Sequence, residues 1–405
     1  MLFCPKCGEL AQEDAVYCSN CGAPFVQQPQ PTALPYVPQS FFDISNIIKT
    51  EFETRDAYIE NGTPTFIIIA PPNLNEKAEN LRSKIRPLGF EVVIRQGDAG
   101  IKLQVLEYRP RREAPRRFFG ISLPLILFIT TVITVSVSGY LTVSSYISVL
   151  SILEMINPED ELLYLIEQIA LYTFSIMAIV GLHELGHTLA SRRNHVETSL
   201  PLFIPGVPGI TPGTFGAVIM QRSPAHNRDQ LFDIGLSGPL VGFAISLIVS
   251  AVGYSMSLPL TKAQYDLVTA ATGPSQSVSL PLIFSLLKPY LLPRVSNSYI
   301  FFLHPVAYAG WIGTLITFLN VFPVGQLDGG HVARAILGPK LYSVVSYIMV
   351  AVMFLTGWWS MAILVVLLIG FKHPGTLDDV STLSRRRKLL AILLPIIFIS
   401  CLTLS

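Results

Sequence analysis

Apolar residues in this chain gather into long runs from residue 118 onward and into short, alternating runs before it. The long runs cover residues 118–141, 163–191, 231–257, 299–322, 342–355, 358–371 and 389–404. Runs near 20 apolar residues are long enough to cross a bilayer as helices. The pattern therefore predicts a polytopic α-helical membrane protein with about seven spans, in which 342–355 and 358–371 form a tight hairpin. Residues 41–108 alternate differently. A helix is expected near 42–52, strands at 56–60 and 65–69 around Asn61-Gly62, an amphipathic helix at 74–85, and a second hairpin across Gly97-Asp98. That is a small soluble α+β domain with no catalytic constellation, so its expected role is accessory.

Charge orients the spans. Arg109, Arg111, Arg112, Arg116 and Arg117 precede the first apolar run, and Arg192 and Arg193 close the second. Arg222 and Arg228 precede the third, and Lys372 and Arg385 to Lys388 precede the last. Basic residues mark cytoplasmic flanks. The first span then runs from inside to outside, the second returns, and the end of the fourth lies on the cytosolic side again. Composition agrees: 51% of the 405 residues are hydrophobic and 14% charged, against about 25% charged in soluble domains. The net charge of +1 provides no footprint for nucleic acid. The opening Met1-Leu2-Phe3-Cys4 is not a signal peptide, so the N-terminus is expected in the cytosol.

Two knuckles open the chain, Cys4-Pro5-Lys6-Cys7-Gly8 and Cys18-Ser19-Asn20-Cys21-Gly22. Four thiolates in paired C-x-x-C spacing suit a closed, tetrahedral structural zinc. Residues 1–25 thus read as a zinc ribbon, similar to ribbons at the start of many prokaryotic membrane proteins, with a protein partner as its expected contact. Residues 26–40 are a Pro- and Gln-rich linker.

The second apolar run ends in His183-Glu184-Leu185-Gly186-His187. Helical residues four apart share a face, so His183 and His187 can ligate one metal with Glu184 beside them as a base. In a bilayer such residues are costly and call for a function. A catalytic zinc takes three protein ligands and leaves one position for water. Asp328, Asp233, His195, His226 and His331 are the candidates for the third. Charge parity puts Asp328 on the same side and at a comparable depth, and Pro323, Gly329 and Gly330 permit a helix break that would aim it inward. His331 is its rival. Asp233 reads as a helix-start carboxylate, and His195 and His226 read as loop residues. Asn320 serves either substrate or helix packing.

Residues 199–221 are apolar but broken by prolines and glycines. Backbone of that kind within a membrane must be protein-covered, line a wet cavity or rest at the interface. Residues 214–219 read as an extended edge able to pair with an unwound peptide, or as a packed loop.

The pentad, followed far downstream by Asn320-x-x-Pro323-x-x-x-x-Asp328-Gly329, resembles the site-2 protease family of intramembrane zinc metalloproteases over about residues 118–340. The stretches 213–217 and 323–330 are most similar to the branch of plant plastids and prokaryotes. The resemblance implies His183, His187 and Asp328 as ligands of a catalytic zinc, Glu184 as base, and Asn320 in substrate handling. It also implies membrane-anchored substrates cut by zinc-activated water. Residues 341–405 add C-terminal membrane helices. No loop is long enough for the PDZ domain of many bacterial members, so the ribbon and the α+β domain are expected to select substrate. A prokaryotic cell membrane is the expected location, with the active site toward the cytosol. Two other classes stand beside this reading, a non-catalytic adaptor built around the ribbon and a metal transporter. A membrane protease of another H-E-x-x-H family would need an intramembrane glutamate after His187, and none is evident.

Overall fold

The computed structural model describes residues 39–98, 100–108, 121–273, 279–291, 299–355, 359–366 and 373–402, with short pieces at 2–3, 10–11, 117–118 and 357. Cys4, Cys7, Cys18, Cys21 and most of the arginine cluster at 109–117 lie outside the described residues. The chain forms two compact units, residues 1–108 without 93–96, and residues 109–405 with 93–96.

In the first unit, Leu2–Phe3 (β1) pairs with Leu10–Ala11 (β2). There follow α1 (Gln39–Glu51), β3 (Thr54–Glu60), β4 (Thr63–Ile68), α2 (Leu74–Ile85), β5 (Phe90–Gly97) and β6 (Gly100–Glu107). The sheet order is β3-β4-β6-β5. Asn61 and Gly62 take positive φ in the β3–β4 turn, as a tight hairpin requires. Apolar positions three or four apart on α2 (Leu74, Ala78, Leu81 and Ile85) are buried, and Ile48, Phe66 and Leu103 are fully buried with them.

The second unit is helical. A short pair, β7 (Arg117–Phe118) and β8 (Ile121–Ser122), leads into α3 (Leu123–Ile152), and α4 (Glu161–Arg193) follows. Next come β9 (Leu202–Pro205), β10 (Thr214–Val218), α5 (Arg228–Ser255), β11 (Leu258–Leu260), α6 (Lys262–Thr272), α7 (Leu282–Leu291), β12 (Ile300–Phe302) and α8 (Pro305–Val321). The chain closes with α9 (Asp328–Leu355), α10 (Trp359–Leu364), α11 (Arg385–Leu390) and α12 (Leu393–Cys401). Among the described residues, four helices (α3, α4, α5 and α9) are long and apolar enough to cross a membrane. The protein is an integral membrane protein.

The expected count of about seven spans is not reproduced. Prolines are the physical reason in two places. Gly338 breaks α9 with φ +76°, directly before Pro339, so the expected span at 342–355 is the second half of one kinked helix, and residues 358 and 367–371 of its expected hairpin partner lie outside the described residues. Pro395 lies four residues after Ala391, where α11 and α12 separate, since a proline cannot donate to that carbonyl and its ring crowds it. The fourth run yields only the 17-residue α8, opened by Pro305 and followed by Pro323.

Helix α5 packs against α4, α8 and α9. Small residues let α5 and α8 approach closely. A Cβ on Gly253 would strike the backbone of Ala307, and one on Gly310 would meet the Ser250 backbone at 2.7 Å. Strands β9 and β10 form an antiparallel hairpin fixed to α3: Thr134 Oγ1 donates to the Gly213 carbonyl at 2.7 Å and Ser138 Oγ to that of Thr211 at 3.2 Å. The broken apolar stretch thus finds internal partners for its backbone, as a low-dielectric setting demands. Because the atoms facing Gly253 are backbone, Gly253→Ala is expected to destabilise the protein by about 1–3 kcal/mol. A lowered thermal-unfolding midpoint in detergent is the check.

Candidate metal centre

Two helices and one turn build the centre. On α4, His183, Glu184 and His187 are 6%, 6% and 5% exposed, so the i, i+4 spacing turns both imidazoles into the interior. After α8 the chain turns through residues 322–327, with Gly325 at φ +56°. Tyr342 Oη donates to the Gly325 carbonyl at 2.5 Å and Ser346 Oγ to that of Pro323 at 3.3 Å, holding the turn against α9. A Cβ on Gly329 would collide with the Val321 carbonyl, and one on Gly330 would lie 2.6 Å from that of Gly325. Only glycines fit there, and the tight turn sets Asp328 at the first position of α9.

Asp328 Oδ2 lies 3.1 Å from His183 Nε2, and Oδ1 lies 3.1 Å from His187 Nε2. The two Nε2 atoms are themselves 3.1 Å apart. His187 Nδ1 donates to the Ile234 carbonyl on α5 at 2.8 Å. With Nδ1 so engaged, Nε2 is the ring nitrogen turned toward the carboxylate. Ligands tetrahedrally placed about 2.0–2.1 Å from a zinc stand roughly 3.3 Å apart. The three side chains therefore fit a metal, and they form the group with metal-ligand geometry among the described residues.

Helix α5 supplies the wall behind the imidazoles. A Cβ on Gly238 would collide with His187 Nε2, and one on Gly242 would lie 2.7 Å from His183 Nδ1. Gly186 on α4 reciprocates, since its Cβ would meet the Ser237 carbonyl at 2.8 Å. The use of Gly238 and Gly242 as seats for the two rings is legible only with α4 in place. The start of α5 is fixed by Asn227, whose side chain accepts from the Gln230 amide at 2.9 Å.

The other candidates stand elsewhere. His331 Nδ1 is 2.6 Å from His373 Nε2. Asp233 binds Arg387 through both oxygens at 2.7 and 2.6 Å. His195 sits at the end of α4 with φ +56°, and the His226 amide donates to Gln230 Oε1. Asn320, in the last turn of α8, lines a cavity of about 1060 Å³ between α3 and α8 together with Phe215 and Trp311. Burial, reinforced by the neighbouring His331 and Arg334, holds the His373 imidazole far below its usual range, at about 2, so it is neutral.

Because overpacking costs about 1–3 kcal/mol, Gly238→Ala should weaken zinc retention about tenfold or more, and Gly242→Ala should weaken it less. Zinc content after dialysis against graded chelator is the measurement.

Residues 171–358 match the model of peptidase family M50, and residues 3–25 match that of a zinc-ribbon domain. The chain is 33% identical over 240 residues to the probable zinc metalloprotease EGY1, chloroplastic, of Arabidopsis thaliana, covering 58% of this chain and 42% of that protein. It is 32% identical over 249 residues to EGY1 of Oryza sativa subsp. japonica, covering 60% and 42%. To the probable zinc metalloprotease EGY2, chloroplastic, of Arabidopsis thaliana it is 30% identical over 198 residues, covering 49% and 34%. The chain thus spans about two fifths of the length of the first two relatives. No solved structure matches it. The expected prokaryotic membrane finds no support among these relatives, whose names place them in chloroplasts. The chain carries a site-2 protease domain of peptidase family M50 and a zinc-ribbon domain, and is homologous to the plant EGY zinc metalloproteases.

Proposed function

We propose that this chain is an intramembrane zinc endopeptidase that hydrolyses peptide bonds in or near the membrane segments of anchored proteins. One observation carries the reading. His187 Nε2 is buried 3.1 Å from a carboxylate oxygen and 3.1 Å from a second imidazole nitrogen. The three side chains converge on one point, and with His183, His187 and Asp328 as ligands zinc is the ion the donor set favours.

Zinc held there supplies Lewis-acid polarisation and a water acidified to a near-neutral pKa. The chain's own residues do the rest. Glu184, one residue from His183 and buried with it, takes the proton from the attacking water and passes it to the leaving nitrogen. A helical substrate has its carbonyls already bonded, so it must unwind. Strand β10 pairs with β9 on one side and offers its other edge for strand addition. Asn320 lines the adjoining cavity with Phe215, in a position to donate to a substrate carbonyl. Basic flanks, which mark cytoplasmic sides, support a centre toward the cytosolic face. Cys4, Cys7, Cys18 and Cys21 hold a second, structural zinc in a ribbon that docks a protein partner.

Glu184→Gln should keep its zinc and its fold while cleavage of a co-expressed single-span substrate falls by about 10²-fold or more. Cleavage at the unaltered rate would contradict the role. Asn320→Leu is expected to lower kcat by about 10²-fold with zinc content unchanged, read from the same substrate in proteoliposomes.

A further inference from the structure

Residues 373–387 leave no mark in the sequence beyond a basic flank, yet they grip both helices that shape the metal centre. On α9 the grip begins one turn after Asp328. The Gly375 amide donates to His373 Nδ1 at 2.9 Å, which leaves the proton on His373 Nε2, and this nitrogen donates to His331 Nδ1 at 2.6 Å. One turn further on, Arg334 Nη2 binds Asp379 Oδ2 at 2.8 Å. Arg334 is 4% exposed and Asp379 11%, so the pair is shielded from water. Thr376 Oγ1 donates to Asp379 Oδ1 at 2.9 Å and stiffens the loop between the two grips.

On α5 the grip falls beside the carbonyl that orients His187. Arg387 Nε and Nη2 take both oxygens of Asp233 at 2.7 and 2.6 Å. Its Nη1 reaches Asp229 Oδ2 at 2.7 Å, and the Ser384 amide donates to Asp229 Oδ1 at 2.9 Å. Asp233 immediately precedes Ile234, whose carbonyl receives His187 Nδ1–H. A planar guanidinium shared by two carboxylates on successive turns fixes the rotation of the helix that bears them. That rotation aims the Ile234 carbonyl.

We propose that residues 373–387 form a clasp that positions the metal ligands, with Arg387 acting on His187 through Asp233 and Ile234, and His373 acting on Asp328 through His331. The clasp rests on the reading that these side chains hold zinc. Arg387 and His373 are positioning residues and touch neither substrate nor metal. Partners of this kind change metal affinity by about 10–100-fold when removed, whereas a tie that only adds stability leaves it alone.

The test measures zinc affinity of the full chain in detergent by competition with a chelator, and separately the melting temperature of the zinc-free protein. The chain bearing both His183→Ala and His187→Ala defines the share of zinc held by the ribbon. Arg387→Ala and His373→Ala should each weaken the remaining site by about 10–100-fold. Arg387→Lys, which keeps the charge and loses the fork, should lie between these and the unaltered chain. A lowered melting temperature with zinc affinity changed by less than about threefold in all three variants overturns the clasp, threefold being well short of the expected loss. If the alanine variants do not fold, Arg387→Lys decides by the same limit. Failure of the underlying reading looks different, because the unaltered chain would then hold no zinc that depends on His183 and His187.

Discussion

Two buried imidazoles converging on one carboxylate set the terms for the membrane unit. His187 has its Nδ1 proton committed to Ile234, so Nε2 is the nitrogen that meets Asp328 Oδ1. In an apolar surround such a cluster is costly unless a proton or a metal cation is shared among its members. Asp328 stands at that point because Gly329 and Gly330 allow the turn after α8 to close on itself. The imidazoles stand there because α5 presents bare backbone at Gly238 and Gly242. The stability given up in that arrangement is a cost that evolution accepts at functional sites.

The same economy of small residues organises the rest of the unit. Gly253, Gly310 and Gly313 bring α5 and α8 into close contact, and α8 ends in the turn that delivers Asp328. The β9–β10 hairpin supplies irregular backbone beside a membrane helix, and α3 hydroxyls take two carbonyls of its connecting loop. The cavity between α3 and α8 lies beside this hairpin and reaches Asn320. Extended strand and cavity thus share one neighbourhood, a layout suited to an unwound peptide.

Much of this was legible in the residue pattern. The i, i+4 imidazoles and the strand–strand–helix–strand–strand order of the α+β domain follow from periodicity alone. Charge parity brought Asp328 to the right side of the membrane, although it could not separate Asp328 from His331, one turn away on the same helix. The structure separates them by giving His331 a partner in His373. The span count is not confirmed among the described residues: Pro395 interrupts the last apolar run, which hydropathy treats as continuous. The clasp was invisible because its pairs are distant in sequence: Arg387 and Asp233 are 154 residues apart, and no periodicity records such a contact.

The most direct test of the metal centre is zinc X-ray absorption on the full chain with Cys4, Cys7, Cys18 and Cys21 replaced by serine. The account predicts one zinc per chain with only nitrogen and oxygen neighbours, at about 2.0–2.2 Å. A chain that retains no zinc once the ribbon thiolates are gone would contradict it.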